Sequence, residues 1–180
     1  VFRSGLAEVL KHGLIGDPEL FSLCEKGWAA VRKSDREMLV RRAVAVKVRV
    51  IEEDPFEKGR RAVLNLGHTI GHAVEQAMGY KVDHGEAVAI GLAAETALAE
   101  AMGIAEKGLA ARVREALLVL GLPVEIPPTL DPEALRTAME RDKKKAGGRV
   151  RFALPRRVGE VETGIVPDPL LLEKVLRSAR

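Results

Sequence analysis

Three of the Asp-Pro pairs, Asp17-Pro18, Asp131-Pro132 and Asp168-Pro169, constrain this chain more than any other feature of its sequence. An aspartate carboxylate accepts from the free N–H groups of a helix's first turn, and a proline at the first helical position needs no N–H, so each pair reads as a helix start. Ser34 with Glu37 reads as a capping box opening a long segment that ends at Asp54-Pro55. Gly79 and Gly103 stand after "AVEQAM" and "ALAEAM", where C-terminal caps belong. These signals predict helices near residues 4–15, 18–26, 35–53, 60–78, 85–102, 105–120, 132–141 and 169–178. Strand character is confined to "GRVRFALPRRVGEVETG", where Val150, Phe152 and Leu154 alternate before a turn and a second short run follows at Val158 to Val161. The expected fold class is mainly α, a multi-helix domain with one small β-hairpin and no internal repeat.

A chain of 180 residues suits one domain, taken as 1–180. It opens with Val1 in place of a Met and its first helical motif begins almost at once, so a piece of a longer polypeptide is expected. With 47% hydrophobic and 31% charged residues it has no apolar run near the ~18 residues that span a bilayer, and no signal peptide is visible; the expected location is cytoplasmic, with no membrane partner. The single Cys24 excludes an intrachain disulfide and a cysteine-based metal site, leaving His, Asp and Glu as possible ligands. A net charge of +3 with one Trp, one Tyr and four Phe is a poor match to nucleic acid, whereas a mild positive bias suits a small anionic substrate.

In the predicted helix 60–78, Arg61, Asn65, His68 and His72 fall at i, i+4, i+7 and i+11, a polar seam along one face. Val63, Leu66, Ile70 and Val74 form an apolar stripe of the same period, so the seam is expected to face an internal cleft; the competing reading is that these groups only bond neighbouring backbone. Gly67 and Gly71 each precede a histidine at a cost of about 1 kcal/mol relative to Ala, which predicts close approach of a neighbouring helix or a ligand. In the helix 35–53, Val40, Val44, Lys47 and Ile51 share a stripe that Lys47 interrupts, so its ammonium must snorkel or meet an anion. Glu8 and Lys11 stand three apart on an otherwise apolar short helix, and His84 stands at the entry to the helix 85–102, where a plain capping role is the alternative. The available ligand set suits Zn²⁺ with three protein ligands and one open position. Spacing nominates His68 and His72, but Thr69 stands where His-Glu-x-x-His metal helices carry glutamate, and spacing leaves open whether both imidazoles bind, pack or divide two jobs.

"SGLAEVLKHG", "RRAVLNLGHTIGHAVE" and "DHGEAVAIG", in this order and separation, closely resemble the carboxy-terminal domain of the 3-dehydroquinate synthase family, and "RDKKKAGGRVRFALPRRVGEVE" resembles that family's distal lysine motif and hairpin. The resemblance implies the C-terminal half of a two-domain α/β plus α enzyme of the shikimate pathway, which converts 3-deoxy-arabino-heptulosonate 7-phosphate to 3-dehydroquinate and phosphate, with NAD used catalytically. It implies Zn²⁺ or Co²⁺ held by Glu8, His68 and His84. His72 then matches a catalytic and substrate-binding histidine, with Lys11 and Asn65 in the same two roles. Lys47, Glu57, Arg61 and Lys143 or Lys144 match substrate-binding positions, the register of the "DKKK" run fitting either lysine. Family members are roughly twice this length, commonly homodimers, and bind NAD mainly through a preceding α/β domain; no G-x-G-x-x-G follows a strand here, so that domain is expected to be absent from this chain and the isolated domain to be inactive. The rival readings are another sugar-phosphate cyclase such as a 2-deoxy-scyllo-inosose synthase, a metal-dependent polyol dehydrogenase of the glycerol dehydrogenase type, and a helical interaction module with structural histidines.

Overall fold

The chain begins on α1 (Phe2–Gly16), and the Asp17 carboxylate, accepting from Leu20 N–H at 3.0 Å, caps α2 (Pro18–Glu25). The computed structural model describes residues 2–56, 59–144 and 149–179, with the side chains of 3–56, 59–140 and 149–179. A short helix, α3 (Gly27–Lys33), follows where no helix is expected from sequence. It has no side-chain cap and spans only seven residues, so neither a cap signal nor a readable apolar period marks it. The long helix α4 (Arg36–Glu53) is capped by Asp35, which accepts from Glu37 N–H, while the Ser34 hydroxyl donates back to the Val31 carbonyl; the capping box read at Ser34 is therefore displaced by one residue.

The helix expected over 60–78 is two elements. A 3-10 helix (Arg60–Asn65) ends at Leu66, Gly67 turns the chain with φ +77°, and α5 (His68–Ala77) starts afresh. The four polar residues therefore do not form a seam on one cylinder, although three of them still reach one cavity. Next come α6 (His84–Ala101), α7 (Leu109–Val119) and α8 (Pro132–Lys144). The start of α7 is later than residue 105 because Glu100 accepts from the N–H groups of Gly108 and Ala110 and fixes the helix entry there. The hairpin pairs β1 (Phe152–Arg157) with β2 (Glu160–Ile165) antiparallel. Its turn falls at Val158–Gly159, so the second run lies further along than Val158 to Val161, and the Gly159 N–H bonds the Leu14 carbonyl at 2.9 Å, tying the hairpin to α1. The chain closes on α9 (Pro169–Ser178), where Asp168 accepts from the N–H groups of Leu170 and Leu171. The C-caps after α5 and α6 are as expected: Gly79 and Tyr80 bond back to Gln76 and Glu75, and Gly103 and Ile104 to Glu100 and Ala99.

The centre of the molecule is α6. Its residues from Ala87 through Thr96 are all buried, which requires a helix covered on every side and explains its run of alanines. It lies against α5 so closely that a Cβ on Gly91 would fall on the Gly67 carbonyl, while one on Gly71 would meet the Ala87 carbonyl at 3.0 Å. Close helix approach is thus what accompanies the glycines beside the two histidines. Across α6, Leu6, Leu10 and Leu14 of α1 complete the core. On α4 the core positions are Leu39, Ala43, Val46 and Val50; Val40 and Val44, expected in an apolar stripe with Ile51, are 54% and 49% exposed and border a cavity instead. Among the described residues no helix is long and apolar enough to cross a membrane.

Candidate metal and substrate site

Five elements converge on a cavity of about 600 Å³. From α1 come Glu8, Lys11 and His12, from α4 Lys47, from the 3-10 helix Arg61 and Asn65, and from α5 and α6 their first residues, His68 and His84. Asp54, just past α4, sets the 3-10 helix in place by accepting from the N–H groups of Gly59 at 2.8 Å and Arg61 at 3.0 Å. The fully buried Glu95 of α6 does the same for α5, taking Gly67 N–H at 2.6 Å and Ile70 N–H at 2.9 Å. A carboxyl group from the next helix thus caps a helix whose own N-cap residue is a glycine with no side chain to offer.

Glu8, His68 and His84 offer one ligand atom each within 4.8 Å of one another. The His68 Nε2 lies 3.4 Å and the His84 Nε2 3.7 Å from the same oxygen, Glu8 Oε1. The other ring nitrogens face away: His68 Nδ1 is 3.1 Å from the Leu66 carbonyl and His84 Nδ1 is 3.1 Å from Glu75 Oε1. One carboxylate oxygen and two inward-facing imidazole nitrogens are a donor set that fits a divalent ion such as Zn²⁺, with room left for an exogenous ligand. Among the described residues a second group, His72, Glu75 and His84, meets the same distance limit and shares His84 with the first.

The electrostatics favour the ligating forms. Burial lowers the His68 pKa to about 4, with the Lys11 ammonium adding to the effect, so its imidazole is neutral near pH 7. Burial works to raise the Glu8 carboxyl, but Lys11, paired with it at 2.8 Å, and the neighbouring histidines outweigh burial and hold it below the ordinary value. Lys11 itself is pulled down by burial, partly offset by Glu8, and its ammonium also donates to the Leu64 carbonyl at 3.1 Å. Both ions thus remain in a region that is costly for either alone.

Of the residues expected from sequence, the structure brings Glu8, Lys11, Lys47, Arg61, Asn65, His68 and His84 to one cavity. His72 stands beside them, its ring centroid 5.1 Å from that of His68 and 6.0 Å from that of His84, but it is exposed and does not border the cavity. Glu57 lies outside the described residues, and Lys143 and Lys144 end α8 with side chains outside the described ones. His12 was not anticipated. Its Nδ1 is 2.6 Å from the Glu8 carbonyl while its buried Nε2 has no partner, a group that calls for water or a ligand. The i, i+4 spacing of Glu8 and His12 was the available signal.

Fold and cavity together define a class, the helical domain of dehydroquinate synthase-like enzymes. A solved structure of 2-epi-5-epi-valiolone synthase from Streptomyces hygroscopicus, with NAD+ and Zn²⁺ bound, matches with a TM-score of 0.85 at 31% identity, over 98% of this chain and 50% of that one. A 2-deoxy-scyllo-inosose synthase complexed with carbaglucose-6-phosphate, NAD+ and Co²⁺ shares the fold, with a TM-score of 0.81 at 24% identity over 99% and 52% of the two chains. The family model described as 3-dehydroquinate synthase C-terminal matches residues 5–145, and the chain belongs to that family. The 3-dehydroquinate synthase of Synechocystis sp. is 44% identical over 89% of this chain and 46% of its own length, and that of Shewanella loihica 39% identical over 98% and 51%. The chain spans about half the length of the curated relatives it matches.

Proposed function

We propose that this chain is the metal- and substrate-binding half of a 3-dehydroquinate synthase, a carbon–oxygen lyase that converts 3-deoxy-arabino-heptulosonate 7-phosphate to 3-dehydroquinate and phosphate with NAD as a recycled oxidant. The observation that carries the reading is the meeting of Glu8, His68 and His84 at the wall of a cavity whose other polar groups include Lys11, Lys47 and Arg61. In this reading Glu8 Oε1 and the two Nε2 atoms hold Zn²⁺ or Co²⁺, which when bound supplies Lewis acidity to a substrate hydroxyl.

The chain's own residues do the remaining work of binding and proton handling. Three cations around one cavity repel one another unless an anion joins them, so a substrate with both phosphate and carboxylate is the natural occupant. Arg61 offers a planar fork of donors suited to bidentate contact with a carboxylate, and this separates the heptulosonate from substrates that lack one. Lys11 stays with Glu8 and presents its remaining N–H to the substrate, Lys47 reaches in from α4, and Asn65 donates a hydrogen bond. His72, at the outer edge, accepts and returns a proton beside the departing phosphate. Glu57 and Lys143 or Lys144 complete the substrate contacts. NAD is bound mainly by a preceding α/β domain, the full-length enzyme is a cytoplasmic homodimer, and this chain alone binds zinc weakly without turning over.

The test is phosphate release by the full-length protein from the heptulosonate against a hexose 6-phosphate without a carboxylate. Release from the heptulosonate, abolished by chelation and by Arg61→Ala, is expected; preference for the carboxylate-free sugar phosphate would assign the chain to a different cyclase.

A further inference from the structure

The second histidine–carboxylate group is not independent of the first, because both use His84. The two nitrogens of that ring are already divided: Nε2 faces Glu8 Oε1 at 3.7 Å and Nδ1 lies 3.1 Å from Glu75 Oε1. A carboxylate oxygen can only accept, so the contact with Glu75 places the ring hydrogen on Nδ1 and leaves the Nε2 lone pair directed at the Glu8–His68 pair.

From this geometry we infer that Glu75 is a positioning residue of the metal centre: it fixes the tautomer and the ring plane of His84. The inference rests on the reading that Glu8, His68 and His84 hold a divalent ion. The two imidazoles differ in how they are held. His68 is 16% exposed and its Nδ1 is pinned by the Leu66 carbonyl at 3.1 Å, a main-chain group that no substitution removes. His84 is 51% exposed at the first position of α6, where its N-cap residue Asp83 makes no side-chain cap bond, so its ring is free to rotate unless a side chain restrains it. Glu75 is itself restrained, with 14% exposure, and stands on α5 seven residues after His68. That spacing returns to the same face of the helix two turns on. One helix thereby supplies both a ligand and the group that aims the other ligand, and an imidazole with its second nitrogen bonded to a carboxylate is a more basic donor.

The experiment uses the full-length protein and its Glu75→Ala and Glu75→Gln variants, stripped with chelator and titrated with Co²⁺ while visible absorption and metal content are read. Wild type is expected to bind one Co²⁺ per chain. Glu75→Ala should bind about 10- to 100-fold more weakly with an altered absorption band, at unchanged circular dichroism. Glu75→Gln, whose amide oxygen still accepts from Nδ1–H, should recover most of the affinity and the wild-type band. An Ala variant with wild-type affinity and spectrum would overturn the inference alone. So would two ions per chain in wild type falling to one in the Ala variant, since Glu75 would then be a ligand of a second ion. A wild-type protein that takes up no Co²⁺ would instead overturn the metal reading beneath it.

Discussion

Replacing Glu95 by Gln separates the two forces that act on a carboxyl buried completely at the start of α5. Its two oxygens take N–H groups of Gly67 and Ile70, which favours the ionised form, whereas burial opposes ionisation. Burial prevails and raises the pKa from 4.5 to about 8, with the hydrogen bonds from Ile70, Gly67 and Thr69 pulling the other way. In the unfolded chain the group titrates near its ordinary value, so between pH 4.5 and about 8 the folded chain holds a proton that the unfolded chain has lost. Stability from this group is therefore fully present below the lower value and is lost as pH rises through the upper one. At about 1.4 kcal/mol per pH unit, the interval amounts to at most about 5 kcal/mol. Gln has the same shape and no proton to release. Urea unfolding of the metal-free chain and of Glu95→Gln, followed from about pH 5 to about pH 8.5, should show wild type losing about 3–5 kcal/mol relative to the variant as pH rises. Lys11, His12 and His68 titrate in both proteins and largely drop out of the difference. Parallel curves, or a wild type that gains on the variant with rising pH, would refute the reasoning, because the N–H bonds would then outweigh burial.

Gly91→Ala places a Cβ on the Gly67 carbonyl and 2.9 Å from Gly71 N, main-chain atoms that can yield only if α5 and α6 part; a loss of more than about 4 kcal/mol is expected in thermal or chemical unfolding, and a melting temperature close to wild type would contradict the packing. Asp17→Asn keeps an acceptor for Leu20 N–H but drops the ion pair with Arg42, so a salt-sensitive loss below about 1 kcal/mol is expected, against about 1–2 kcal/mol for Asp17→Ala. For His68, with its pKa lowered from 6.5 to about 4, the unfolded chain binds the extra proton across that interval, so the metal-free chain loses stability as pH falls through it; the ring C–H resonance of His68 should stay at its neutral position down to about pH 5.

What could be read from the sequence was local. Asp17 and Asp168 announced their helices because the atoms they cap lie two or three residues away, and Gly79 and Gly103 did so because a C-cap closes within one turn. The glycines before His68 and His72 signalled a close neighbour without naming it; the neighbour is α6, where Gly67 faces Val88 and Leu92 and Gly71 faces Ala87 and Val88. The reading of 60–78 as one helix failed for a non-local reason. Over the six residues from Arg60 to Asn65, 3-10 and α periods differ too little to distinguish, and the break at Gly67 is held by Glu95, 28 positions away. Asn65 and His68 stand 18 and 21 positions from Lys47, too far for any helical period to say that they border one cavity with it.

That break also bears on the proposal that the cavity takes an anionic substrate. His68 and His84 are each the first residue of a helix, so two helix N-termini approach the cavity, and free N–H groups there would ordinarily serve a phosphate. At α5 those N–H groups are already taken by Glu95, within the core. Beside the α6 N-terminus, the positive charge facing the cavity therefore resides in side chains, in Lys11, Lys47 and Arg61, and all three are carried on elements outside the α5–α6 pair. Because α4 and the 3-10 helix are joined through Asp54, which accepts from Arg61 N–H, Lys47 and Arg61 are held by one linked unit, while Glu8 and Lys11 belong to α1. Loss of the Asp54 carboxylate in Asp54→Ala should therefore weaken substrate binding through misplaced Arg61 while leaving the metal ligands in place. A measured loss of metal affinity in that variant would show that the two halves of the site are not separable in this way.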